Sequence, residues 1–129
     1  MSEPQLPELV DAAARGAAEI KATDIVVLDV GDVLGITDHF VVASGSNARQ
    51  VRRIAEEIEA SVKAAGGEGP RRVEGLREAA WILLDFGPFV AHVFHEETRQ
   101  FYDLERLWGD VPRREWIEEP VDGEAATLD

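Results

Sequence analysis

Apolar residues recur at Leu9, Val10, Ala13, Ala17 and Ile20, the spacing of one helical face, behind Pro4 and Pro7, which suit a helix opening. After Asp24 the pattern changes to a continuous run, Ile25-Val26-Val27-Leu28, which reads as a buried strand. Gly31, Asp32 and Gly35 turn the chain, and a second strand is expected over about His39 to Ala43. Ser44-Gly45-Ser46-Asn47 then supplies loop and N-cap chemistry. The helix behind it is the clearest in the chain, with Val51, Ile54, Ala55, Ile58 and Val62 on one stripe and Gly66-Gly67 as its stop. On its other side Arg49, Arg52 and Arg53 precede Glu56 and Glu57, and local pairing of Arg52 and Arg53 with those acids is the plainer reading than an anion site.

Residues 68–79, with Pro70 and Gly75, read as irregular. Two strands follow, Trp81 to Phe86 and Phe89 to Phe94, joined at Gly87-Pro88. A last helix is expected from Glu96-Glu97, where acids suit its positive end, to Gly109, burying Phe101, Leu104 and Leu107 or Trp108. Interleaved helices and strands define an α/β (α+β) chain with a mixed sheet.

The hairpin is the informative piece. A two-residue turn at Gly87-Pro88 pairs Phe86 with Phe89, Asp85 with Val90, Leu83 with His92 and Trp81 with Phe94. One side then collects Ile82, Leu84, Phe86, Phe89, Ala91 and Val93, which is uniformly apolar and belongs to the core. The other collects Trp81, Leu83, Asp85, Val90, His92 and Phe94, a mixture unusual for core or solvated face. Two readings stay open. Either a helix covers this side and Asp85 and His92 satisfy each other, or Trp81 and Phe94 anchor a partner inside a polar rim.

Charge bears on the partner. Twenty-six acids against thirteen bases give −13, and the last fifteen residues hold six acids and no base. Such a surface repels phosphate backbone, so nucleic acid is not expected as the primary ligand, and a basic protein fits better. The plain alternative is acidity that serves solubility alone. No apolar run approaches the ~20 residues that cross a bilayer. The opening Met1-Ser2-Glu3-Pro4 has no secretory pattern, and cysteine is absent, so a cytoplasmic protein is expected.

Catalytic chemistry finds little support. His92 and His95 sit three apart on a strand and face opposite sides, so no metal site is expected. Ser44 and Ser46 have no marked base. Gly45-Ser46 before a helix is a weak phosphate-cradle signal. A nucleotidyl-transfer reading would use Ser46, Asp29, Asp32 and Asp85, but Asp29 and Asp32 precede the loop and Asp85 stands alone after it. The expectation is a protein that is not an enzyme and needs no cofactor.

Ordered blocks carry a resemblance: Asp24-Ile25, Leu28-Asp29-Val30, Ile36-Thr37-Asp38, Ala43 to Asn47 with Arg49 and Val51, Glu74-Gly75, Ala80-Trp81-Ile82, Asp85-Phe86-Gly87, His92-Val93-Phe94, and Glu97 through Trp108. Together they resemble the ribosomal silencing factor (Iojap-related) family, over about residues 5 to 109. The resemblance implies a mixed five-stranded sheet flanked by helices, nucleotidyltransferase-like without the catalytic carboxylates. It implies a domain over 1–112, and leaves 113–129 as an acidic tail expected to be disordered. It implies binding to the large ribosomal subunit through ribosomal protein L-fourteen, blocking small-subunit joining and slowing translation when nutrients are scarce. It places the binding surface on Trp81, Asp85 and Tyr102; Leu83, His92, Phe94 and Glu105 join them on geometry. It also permits a homodimer that hides the same face when free.

Overall fold

The structure is a computed structural model and describes residues 4–31, 35, 37–103, 106, 109 and 111–116. Helix α1 (Leu6–Glu19) leads into strands β1 (Thr23–Asp29) and β2 (His39–Gly45), then helix α2 (Ala48–Ala64). Strands β3 (Arg72–Glu74), β4 (Trp81–Asp85) and β5 (Phe89–His95) follow, then helix α3 (Glu96–Tyr102) and strand β6 (Arg113–Glu115). The sheet runs β3-β4-β5-β2-β1-β6. Its one parallel pairing, β2 with β5, is reached by a crossover containing α2, and every other neighbouring pair is antiparallel. A parallel neighbour demands such a crossover, whereas the antiparallel pair β4–β5 needs only a turn.

Both long helices lie on one side of the sheet. Val10, Ala13 and Ala17 of α1 and Val51, Ile54, Ile58 and Val62 of α2 pack on Val27, Val41, Ile82, Leu84, Phe89 and Val93. Gly16 lets the helices meet closely, since a Cβ there would stand 2.6 Å from Ser61 Oγ. Asn47 caps α2 by accepting the Gln50 amide at 2.8 Å, as the Ser-Gly-Ser-Asn stretch anticipates.

Four expectations are corrected. Among the described residues the sheet has six strands: β3 and β6 are three-residue edge strands whose charged sequences, Arg-Val-Glu and Arg-Arg-Glu, show no apolar alternation. Strand β6 falls at the start of the stretch assigned to the tail; residues 117–129 lie outside the described residues. Phe101 is not core: α3 ends at Tyr102 and leaves Phe101 80% exposed, while Arg99 is its buried residue. Leu104, Leu107 and Trp108 lie outside the described residues. Finally, Arg52 does not pair with Glu56; its guanidinium donates to the carbonyls of Leu76 at 3.0 Å and Arg77 at 2.6 Å.

Candidate functional site: an aromatic patch on the uncovered sheet face

The β4–β5 hairpin has the register read from its turn: Asp85 opposite Val90, Leu83 opposite His92, Trp81 opposite Phe94. The Phe86 amide donates to the Phe89 carbonyl at 3.0 Å and closes it. Gly87 takes a left-handed φ of 96°, which glycine alone adopts without cost, and this accommodates Pro88 beside it. The Asp85 carboxylate accepts the Gly87 amide at 2.8 Å, and Thr37 Oγ1 donates to the Gly87 carbonyl at 3.0 Å.

Neither open reading of the second face holds as first framed. Asp85 and His92 do not pair. Asp85 is engaged by its own turn and, at 3.8 Å, by Arg72 across the β3–β4 ladder. His92 accepts the indole proton of Trp81 on Nδ1, at 3.1 Å. Its ring is packed edge-on against Phe40 at 4.5 Å, and burial lowers its pKa to about 4. With Nδ1 accepting, the proton of the neutral ring sits on Nε2, which is buried without a hydrogen-bond partner among the described residues.

Phe94 and His92 were expected to face a partner directly; they are buried, at 0% and 7% exposure. The reason is topological: β2 lies against β5, so β5 is interior, and Phe94 joins Val26, Leu28, Val30, Val42 and Val111 in a second apolar cluster. The β1–β2 half of the face is thereby closed. The β4 half is not. Trp81 is half-buried, its ring 4.8 Å from Phe94 below and 5.5 Å from Tyr102, which is 53% exposed. Leu83 and Val90 are also half-buried on this side. The structure thus brings Trp81, Leu83 and Tyr102 to an accessible patch, puts Asp85 at its β3 edge, and lays His92 and Phe94 beneath. Glu105 lies outside the described residues.

A cleft of about 380 Å³ opens beside the patch, with Trp81, Tyr102 and Thr98 on one side and Gly75, Arg77 and Glu78 on the other. Gly75 has φ of 87°, and a Cβ on it would collide with the Trp81 carbonyl, so glycine is what allows this loop to close on β4. Two supporting residues escaped the sequence reading. Arg99 donates at 2.7 Å both to the Asp24 carbonyl and to Ser44 Oγ, fastening α3 to the start of β1 and the end of β2. Arg52 holds the 75–80 loop from α2. Neither role shows in local periodicity, because the carbonyl and hydroxyl oxygens that these two arginines meet are distant in sequence.

The nucleotidyl-transfer constellation does not assemble. The Ser46 amide, which a phosphate would need, already donates to Gln50 Oε1 at 2.7 Å. Ser44 Oγ is occupied by Arg99. Strand alternation puts Asp29 on the helical side, with Val27 and Val10 around it, and Asp85 on the opposite side. They are three strand spacings apart, on the order of 14 Å, too far for two metals ~4 Å apart. Asp32 lies outside the described residues.

Fold and patch together define a small mixed-sheet α/β domain with its long helices on one face and an aromatic patch on the other. The chain belongs to the ribosomal silencing factor family: the family described as "Ribosomal silencing factor during starvation" matches residues 3–128. A ribosomal silencing factor of Halalkalibacterium halodurans is 38% identical over 105 residues, 81% of this chain and 89% of that protein. The mouse protein named "Mitochondrial assembly of ribosomal large subunit protein 1" is 33% identical over 67% of this chain and 39% of its own length. Among solved structures, a Chromobacterium violaceum protein superposes with a TM-score of 0.77 at 29% identity, covering 97% of this chain and 99% of that one. Among the described residues no helix is long and apolar enough to cross a membrane.

Proposed function

We propose that this chain is a translational repressor without catalytic activity, which docks on the large ribosomal subunit and obstructs joining of the small one. The observation that carries the reading is the accessible Trp81–Tyr102 pair on the uncovered sheet face of a chain of this family. A half-buried tryptophan stiffened from below is the kind of anchor on which binding energy concentrates. His92 and Phe94 hold the indole in place, so the anchor is ordered before a partner arrives, and less conformational freedom is lost on docking. Leu83 and Asp85 extend the surface toward β3, and Glu105 is proposed as a further contact.

The partner proposed is ribosomal protein L-fourteen of the large subunit. A net charge of −13 suits a basic ribosomal protein, and a relative is named for assembly of the ribosomal large subunit. The mechanism is steric: a domain seated where the small subunit must approach prevents joining and slows translation under nutrient limitation, in the cytoplasm, with no turnover or cofactor. A free chain would shield the same patch by pairing with a second copy.

Co-sedimentation with isolated large and small subunits tests this. The expected result is binding to the large subunit alone, with loss of joining when small subunits are added. Binding to neither, or joining unaffected at saturation, rejects the reading.

A further inference from the structure

In a chain with twice as many acids as bases, most surface cations should find a carboxylate. Several do: Lys63 meets Glu59 at 3.3 Å, Arg72 meets Glu74 at 2.8 Å, and Arg114 meets Asp11 at 3.0 Å. Within the described residues Arg15, Lys21 and Arg71 do not, and among the cations without one four arginines are neighbours. Arg49, Arg52, Arg53 and Arg77 have no carboxylate oxygen within 4.0 Å among the described residues, although Glu56 and Glu78 are close in sequence.

Their placement is not scattered. Positions 49, 52 and 53 fall within one 100° arc of α2, near its N-terminus, and all three are exposed. Arg52 reaches over to the carbonyls of Leu76 and Arg77, and Arg77 lines the cleft beside Trp81 and Tyr102. The arginines therefore form a cationic edge that starts at the rim of the aromatic patch and turns onto the helical side. Arg52 spends its donors on neutral carbonyls and makes no ion pair with a described carboxylate.

We propose that this edge takes the phosphate backbone of RNA lying beside the protein on which the aromatic patch docks; the proposal rests on the docking reading above. The chemistry of the cluster favours phosphate: all four cations are arginines, whose planar fork meets phosphate oxygens in pairs, and none is a lysine. An acidic chain keeps such a site off bulk nucleic acid. Repulsion from the rest of the surface leaves the contact effective only where the aromatic patch has already positioned the edge. RNA is thus a second partner that sharpens placement.

The test compares the full-length native chain with Arg49→Ala/Arg53→Ala in binding to isolated large subunits over a salt series. These side chains are exposed and carry no hydrogen bond within the described residues, so the fold tolerates their loss. The expected result is about tenfold weaker binding at low salt, and a dependence of log affinity on log salt that is shallower by about 1 to 2. Unchanged affinity and slope overturn the proposal. Purified ribosomal protein L-fourteen free of RNA is the second arm, and there the variant should bind like the native chain. Equal weakening in that arm would mean the arginines meet an acidic protein surface, which also overturns it. Trp81→Ala separates the two readings: normal binding by that variant removes the aromatic patch and the edge positioned by it, whereas weakened binding by Trp81→Ala beside an unchanged Arg49→Ala/Arg53→Ala removes the edge alone. Failure of the native chain to bind large subunits removes both.

Discussion

The two faces of the sheet are built from the same strands, four of them five to seven residues long, and treated in opposite ways. On one, alternation delivers apolar side chains across the centre, with Asp29 and His39 at the margin, and two helices of 14 and 17 residues cover them. On the other, half is closed by a small apolar cluster and half is left with Trp81, Leu83, Val90 and Tyr102 partly in water. The polar groups differ too. The helical face carries none at its centre, whereas the second holds a neutral imidazole that accepts a hydrogen bond from the half-buried indole. A covered face makes the fold; a partly covered one keeps apolar surface and a prearranged donor–acceptor pair available for something else. The comparison separates residues that hold the molecule together from residues that the fold leaves in reach of a partner.

The largest effect expected from breaking that contrast is on the covered face. Phe89→Ala should cost about 3–5 kcal/mol, the range for deleting a buried phenyl group, and show in urea denaturation as a collapse of the midpoint. The imidazole of the second face gives the next effect through pH. Folded His92 takes its proton only near 4, against 6.5 when free, so between those values the unfolded chain binds more protons. Stability should fall as pH drops from about 6.5 to about 4, by on the order of 3 kcal/mol, and that part of the decline should be missing in His92→Phe. Equal pH slopes for the two proteins would remove the assignment. Trp81→Ala is expected to weaken large-subunit binding about thirtyfold, ~2 kcal/mol, while unfolding remains cooperative. The smallest change is Phe101→Ala. At 80% exposure it should shift stability by less than about 0.5 kcal/mol, whereas a core phenylalanine would behave like Phe89.

Phe101 also shows where sequence stops being informative. Its spacing from Leu104 reads as a helical stripe, but a stripe is buried only if something lies under it, and α3 is seven residues long. The hairpin was fully legible because a two-residue turn and a period of two leave one register, and that register fixes both faces. Helices α1 and α2 were legible for the same reason with a period of 3.6. Strands β3 and β6 were not: an edge strand buries almost nothing, and its charged residues are what keep an edge from recruiting other chains. Within the candidate patch, Trp81 and Asp85 were placed together by alternation alone. That His92 and Phe94 lie beneath Trp81 depends on β2 flanking β5, a parallel pairing that no local pattern announces.

The sheet order has a consequence for how the molecule is made. The last of the described strands in chain order, β6, is the neighbour of the first, β1. While the chain is still being elongated, the outer rim of β1 waits for residues 113–115, with Val26, Val27 and Leu28 already in place along it. An apolar strand with an unfilled rim is a template for mispairing, and newborn chains are crowded where they emerge. A product cut short before Arg113 would therefore differ from the finished one less in what it can bind than in what it cannot avoid binding.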